Sequence, residues 1–329
     1  MAIRLDKAAD LATAVRRGDR RALARAITAA ESSRPEHRQL AEAVLSAVVP
    51  HRGASFRLGI SGAPGAGKST FIEAFGLHLL GAGRRVAVLA VDPSSALSGG
   101  AILGDKTRMP RLARAADAYI RPSAAGLTLG GVARRTREAI LLVEAAGFDI
   151  VLVETVGVGQ SETAVADMVD MFLLLLPPAA GDELQGVKRG IIELADLVVV
   201  TKSDGALLAA ANHAASDYRS ALSLLRPRLP PWQPEVVPVS ALEGRGLDLV
   251  WVAAQRFQAL LQAGGLLQSR RAEQARRWLW SELEQGLIEA LRARADLRQR
   301  ACDLEAEVVA GRRAATLAAR ELLERFLSG

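Results

Sequence analysis

The stretch with the clearest chemistry is Gly62-Ala63-Pro64-Gly65-Ala66-Gly67-Lys68-Ser69-Thr70, which carries the G-x-x-x-x-G-K-[ST] spacing of a P-loop. Glycines let a backbone turn tightly with successive N–H groups facing inward, so that amides wrap a phosphate with no side chain in the way. Lys68 is then placed to reach β- and γ-phosphate oxygens, and the Ser69 hydroxyl to be a ligand of Mg²⁺. A helix should follow, because its positive end favours the phosphates. Residues 56–60 read as a strand before the loop and residues 70–75 as a helix after it.

The elements that must hold this loop follow from the apolar pattern. Short runs rich in Val, Leu and Ile at 56–60, 85–91, 118–121, 150–154, 171–176, 197–200 and 235–239 alternate with helix-length segments. Continuous apolar strands of this kind predict an α/β fold, a P-loop NTPase with a mostly parallel sheet flanked by helices. Ligands on such sheets bind at the carboxyl ends of the strands, and the polar residues of interest fall there. Asp92, in Asp92-Pro93-Ser94-Ser95, follows the second strand, where a carboxylate serves as a Mg²⁺ ligand or as a turn cap. Asp105 opens the next helix and reads as an N-cap or as a second Mg²⁺ carboxylate. Glu154-Thr155-Val156-Gly157 closes the fourth strand and resembles the D-x-x-G of GTPases with Glu in first place. Its acid would hold the Mg²⁺ shell and the Gly157 amide would sense the γ-phosphate. Gly157 to Glu162 then reads as a switch segment able to reorder on hydrolysis.

Base selection is read further along. Thr201-Lys202-Ser203-Asp204 follows the sixth strand and resembles the guanine-reading N-K-x-D. Asp204 would accept two hydrogen bonds from guanine that adenine cannot supply, with Lys202 along the base plane. Ser240-Ala241-Leu242 follows the last strand, where GTPases place a loop whose backbone N–H meets the guanine carbonyl. Order and strand position together favour GTP over ATP. The charges of 182–190, Lys188 among them, suit a solvated loop by spacing alone.

The flanks differ from this centre. Residues 1–52 are Ala/Arg/Leu-rich with helical spacing at Leu23, Ala26 and Ile27. Residues 53–264 hold the nucleotide-binding pattern. Residues 265–329 form a helical arm with an apolar stripe at Trp280, Leu283, Leu287 and Leu291, and Leu317, Leu322 and Phe326 near the end. A stripe of this kind must pack on its own domain or on a second copy of the chain, and a homodimer is the favoured reading. The 329 residues carry a net charge of +6, yet basic residues lie beside acidic ones and aromatics make up 4 %, so nucleic acid is not the expected partner. Five of the 42 Lys and Arg residues are lysines (Lys7, Lys68, Lys106, Lys188, Lys202), and four of these fall in the stretches discussed above. The uncharged run 171–176 stops at Pro177-Pro178, too short to span a bilayer. The charged N-terminus and the single Cys302 fit a cytoplasmic protein.

Four stretches taken together, G-A-P-G-A-G-K-S-T, V-D-P-S-S, E-T-V-G-V-G-Q-S-E and D-E-L-Q-G-V-K-R-G, resemble the MeaB/ArgK/MMAA family of metallochaperone-type P-loop GTPases over the whole chain. The resemblance implies a GTPase that binds adenosylcobalamin-dependent methylmalonyl-CoA mutase, gates cofactor loading and protects the mutase from inactivation. It implies that Lys68, Ser69, Asp92, Asp105 and Glu154 form the phosphate and Mg²⁺ site. It also implies that 154–162 and the loop from Asp182 to Lys188 are switches, and that the C-terminal arm dimerises. Two departures from the general GTPase pattern stand out. Thr201 replaces Asn, so the side-chain amide that braces P-loop and guanine is expected to be missing. No Gln directly follows Gly157 to position the attacking water, so hydrolysis should be slow until a partner orders the switches. The competing readings are a P-loop small-molecule kinase or transport-linked ATPase, and a nickel-insertion GTPase. The latter would need Cys/His clusters, and His37, His51, His78 and His213 are scattered.

Overall fold

Strands covered on both faces need apolar side chains at every position, and that is what the seven runs supply. In a computed structural model they form β1 (Phe56–Gly62), β2 (Val86–Val91), β3 (Ala118–Arg121), β4 (Ile150–Thr155), β5 (Met171–Leu176), β6 (Leu197–Val200) and β7 (Glu235–Pro238). The structure describes residues 5–51, 53–91, 108–122, 129–155, 161–178 and 189–328. Among these the strands form one sheet in the order β3-β2-β4-β1-β5-β6-β7, with every pairing parallel. All carboxyl ends therefore lie along one edge, and β1 sits near the middle of it.

Side chains alternate across the sheet. Ala87, Leu89, Val91, Val151 and Val153 belong to the core on one face. That face is closed by α1 (Leu5–Arg16), α2 (Arg20–Glu31), α3 (Pro35–Val48) and α6 (Leu129–Ala145). Val86, Val88, Leu58, Ile60, Leu152 and Leu173 face the other way. They pack on α4 (Lys68–Gly81), α5 (Pro110–Arg114) and α10 (Leu247–Ala263) through Phe71, Phe75, Leu112 and Phe257. A smaller core joins Leu174, Val198 and Val200 to α9 (Leu208–Ser223). The short helices α7 (Ser161–Ala166) and α8 (Arg189–Ile192) precede β5 and β6. The N-terminal helices are thus part of the core. Asp19 caps α2, its carboxylate accepting from the amides of Arg21 and Ala22 at 2.8 Å each, and Pro35 starts α3 where a missing N–H costs nothing.

The amino ends of the strands are held by buried ion pairs. Arg57 donates from Nε and Nη2 to the two oxygens of Glu144 at 2.7 and 2.8 Å. Arg271 donates to both oxygens of Asp170 at 2.8 and 2.5 Å, and Asp170 also accepts from the Arg57 amide at 2.8 Å. Removing one partner of such a pair leaves a buried charge uncompensated, at a cost of about 3–5 kcal/mol.

The chain divides into two compact units, Met1–Arg271 and Ala272–Gly329. The second contains most of α11 (Leu266–Ala293), with α12 (Ala295–Val309) and α13 (Ala315–Leu327). Its small core holds the buried Leu297, Leu304 and Ala318.

Candidate functional site

Two glycines let the P-loop leave β1 and enter α4. A Cβ on Gly62 would lie 2.3 Å from the Leu175 carbonyl oxygen, so only glycine lets β1 approach β5 this closely. Gly67, at φ 86°, sits in the left-handed region as the N-cap of α4. The helix begins at Lys68, two residues earlier than the sequence pattern indicates, and β1 runs two residues further than expected, to Gly62. Lys68 and Ser69 therefore stand in the first helical turn, where backbone N–H groups point out of the helix end.

Lys68 folds over its own loop, its Nζ donating to the carbonyls of Gly62 at 2.7 Å and Ala63 at 3.2 Å. Burial pushes its ammonium below the ordinary lysine range. The charges of Glu154 and Glu162 oppose that shift, and Arg108 reinforces it. Glu154, at the end of β4, is 3 % exposed, and its Oε1 accepts from the Ser69 hydroxyl at 3.3 Å. Beside it, the Thr155 hydroxyl donates to Ser61 Oγ at 2.9 Å and ties the end of β4 to the end of β1. The result is one ammonium and one hydroxyl on the first turn of α4 beside the buried carboxylate of Glu154 at the end of β4, with the buried Glu162 on α7 contributing its charge. Ser69 and Glu154 are a pair of hard oxygen donors of the kind Mg²⁺ takes alongside phosphate oxygens. Among the described residues no group of three or more His, Cys, Asp or Glu is arranged to hold a metal ion. Asp92, Asp105, Gly157 and Lys188 lie outside the described residues.

The second half of the site lies past β6 and β7. Thr201 and Ser203 are buried, Asp204 is half-buried and Lys202 is exposed. Asp204 Oδ2 accepts from the Ser240 hydroxyl at 2.5 Å, and Ser240 Oγ in turn accepts from the Glu243 amide at 3.1 Å. That chain of bonds fixes the plane of the carboxylate. Ala241 and Leu242 follow on the turn, with Leu242 exposed. Arg245 donates to the Ser203 carbonyl at 3.1 Å and the Ser203 amide donates to the Val239 carbonyl at 3.0 Å, so the two base-side loops are bonded to each other.

One expectation is corrected here. The side-chain amide is absent, but the P-loop half of its brace is supplied, because the Thr201 hydroxyl donates to the Ala66 carbonyl of the P-loop at 2.7 Å. The shorter side chain reaches because the P-loop backbone comes up to the end of β6. Glu162 is the residue that motif spacing undervalued. It lies in the predicted switch run, yet it is 1 % exposed and acts on Lys68. Its signal was a charged side chain at the start of a short helix beside the P-loop.

The geometry is that of a P-loop NTPase, and the comparisons with known proteins are specific. The profile described as "Methylmalonyl Co-A mutase-associated GTPase MeaB" matches residues 23–296. The chain belongs to the MeaB family of GTPases. It is 54 % identical over 309 residues to a putative GTPase of Caulobacter vibrioides, covering 94 % of each chain. It is 49 % identical over 328 residues to the mouse methylmalonic aciduria type A homolog, mitochondrial, covering 97 % of this chain and 79 % of that one. A crystal structure named LAO/AO transport system kinase superposes with a TM-score of 0.78 at 40 % identity over 100 % of both chains. This MeaB-family chain is thus a GTP-hydrolysing enzyme that takes GTP and GDP at its P-loop fold. Among its described residues no helix is long and apolar enough to cross a membrane.

Proposed function

We propose that this GTPase is the chaperone of an adenosylcobalamin-dependent methylmalonyl-CoA mutase in the cytoplasm, gating cofactor loading and protecting the mutase from inactivation. The observation that carries this reading is the family match over 23–296, whose description names a mutase-associated GTPase. In this reading Lys68 neutralises the β- and γ-phosphates, and Gly62 to Thr70 wrap them with backbone amides. Ser69 and Glu154, with Asp92 and Asp105, hold Mg²⁺, which would supply charge neutralisation across the phosphates. Gly157 senses the γ-phosphate, and Lys188 couples the loop after β5 to the partner. Asp204 and Lys202 read guanine, with Ser240, Ala241 and Leu242 around its carbonyl. The organisation we propose is a helical segment 1–52, a GTPase domain 53–264 and an arm 265–329 that forms a homodimer.

The mutase is assigned the role of ordering the switches, so turnover should be slow alone, below about 1 s⁻¹, and should rise on adding the partner. The test is GTP turnover by the full chain with and without purified adenosylcobalamin-dependent methylmalonyl-CoA mutase. Stimulation of tenfold or more, equivalent to about 1.4 kcal/mol of barrier, is expected. Turnover that the mutase leaves unchanged would remove the partner assignment while keeping the GTPase. Consumption of ATP in preference to GTP would overturn the base-loop roles.

A further inference from the structure

Side chains of α2, α3, α6 and β3 meet in a second concentration of charge. Arg121, the last residue of β3, donates from Nε to Glu31 Oε1 at 3.0 Å and from Nη2 to Glu31 Oε2. Its Nη2 also donates to the Thr28 hydroxyl at 3.2 Å. Arg38 on α3 donates to both oxygens of Glu138 on α6, at 3.1 and 3.3 Å, and to the Ala30 carbonyl at 3.1 Å. Arg134 lies one turn before Glu138, its Nε 3.8 Å from Oε1. Arg135 shares that helix face, three residues before Glu138. The oxygens of Glu31 and Glu138 are thus engaged by Arg121 and Arg38, and Arg135 forms neither a hydrogen bond nor an ion pair with any described residue. It is half-buried all the same. Burial pushes its guanidinium below the ordinary arginine range, the Arg38 charge adds to this, and Glu31 and Glu138 offset it incompletely.

Among the described residues, then, the guanidinia of Arg38, Arg121, Arg134 and Arg135 face two carboxylates. A charge held partly out of water without a counter-ion destabilises the fold, and an anion that meets it removes that cost. The planar fork of arginine matches phosphate oxygens, and hydrogen bonds between ions are the strong ones. A phosphate carries close to two negative charges near neutral pH, which matches the surplus, whereas a monocarboxylate carries one. The nucleotide does not reach this place. Parallel pairing puts Arg121 level with Leu89, Val153 and Gly59, three residues short of Gly62 and three strand spacings away, about 14 Å. The P-loop leads into α4 on the opposite face of the sheet, and the base loops lie beyond β6 and β7. We propose that Arg135, with Arg38 and Arg134 beside it, forms a second anion site, which takes a phosphate group that does not belong to the nucleotide at the P-loop.

The test saturates the full chain with GDP and Mg²⁺, so that the P-loop is occupied. Inorganic phosphate, pyrophosphate, phenyl phosphate and polyglutamate are then titrated by calorimetry at constant ionic strength. Arg135→Gln should weaken phosphate binding about tenfold or more, the loss of one charge-assisted pair. Arg135→Lys keeps the charge without the fork and should fall between. Arg17→Gln, at an exposed arginine after α1, should stay within about twofold of wild type. Phosphate should also raise the unfolding midpoint of wild type and leave that of Arg135→Gln in place. Without phosphate, Arg135→Gln should melt no lower than wild type, because the charge it removes has no counter-ion. Absence of saturable phosphate binding to the GDP-bound wild type would overturn the site, as would binding that Arg135→Gln leaves unchanged. A variant melting well below wild type without phosphate would also overturn it, since the guanidinium would then be satisfied within the fold. Binding of polyglutamate with none of phosphate would overturn the phosphate assignment and give the cluster to an acidic protein segment. Equal binding of phenyl phosphate and phosphate would support a phosphate borne on a larger molecule, and much weaker phenyl phosphate would support the free ion.

Discussion

At the scale of single residues, the site is a set of short polar side chains whose partners are close in space and far apart in sequence. Ser69 and Glu154 are separated by 85 positions and meet at 3.3 Å. If both supply oxygens to one Mg²⁺, their removal should not be additive. Glu154→Gln and Ser69→Ala are each expected to raise the Mg²⁺ concentration for half-maximal GTP turnover about tenfold or more, and the double variant should lie well short of the product. A Mg²⁺ titration of turnover checks this, and an unchanged midpoint in both single variants would remove the two residues from the metal site. The P-loop is legible in the sequence because its chemistry needs fixed local spacing. The Thr201 brace is not, since a hydroxyl replaces an amide only if a carbonyl 135 positions away comes within reach. The Ser240 bond to Asp204 was missed for the same reason, spanning 36 positions.

Among elements, the strands were the most legible because burial on both faces leaves a continuous apolar run that no other element needs at that length. β3, β5 and β6 span the same residues as the runs 118–121, 171–176 and 197–200. Strand order and the ion pairs at the amino ends were not legible, since Arg271 and Asp170 stand 101 positions apart. Charge matters differently in the hairpin of α12 and α13. The hydrogen bond from Arg300, with the charges of Arg300, Arg313 and Arg325, holds the Glu321 carboxyl at about 2, well below the ordinary 4.5. A carboxyl depressed in the folded state adds stability above 4.5 and loses it as pH falls through about 2. Wild type should therefore lose helicity between these values more steeply than Glu321→Gln. The difference should shrink in 1 M salt, because the group is only half-buried and its ion pairs are screened. Circular dichroism of both proteins across that range is the measurement, and parallel curves would show that the cluster contributes nothing.

At the scale of the molecule, the second unit presents more apolar surface than its own small core uses. Trp280, Leu283 and Leu287 on α11 are 59 %, 48 % and 49 % exposed, and Ile288 beside them is 51 % exposed. Steps of three and four residues place the first three on one helix face. Single exposed leucines are ordinary, but a continuous stripe is costly to leave in water at roughly 25 cal/mol per Å². A twofold-related copy covers such a stripe with itself, since the same patch serves both partners. The full chain is therefore expected to sediment as a dimer. Leu283→Glu and Leu287→Glu should each weaken it at least tenfold in Kd, because burying an unpaired carboxylate costs more than the ~1.4 kcal/mol that tenfold represents. Unaided GTP turnover should be unchanged, because the residues proposed to hold nucleotide all belong to the first unit. If the double variant remains a dimer, the interface lies elsewhere. If wild type is already a monomer at micromolar concentration, the stripe is left for the mutase, and mutase binding should then fall in the same two variants.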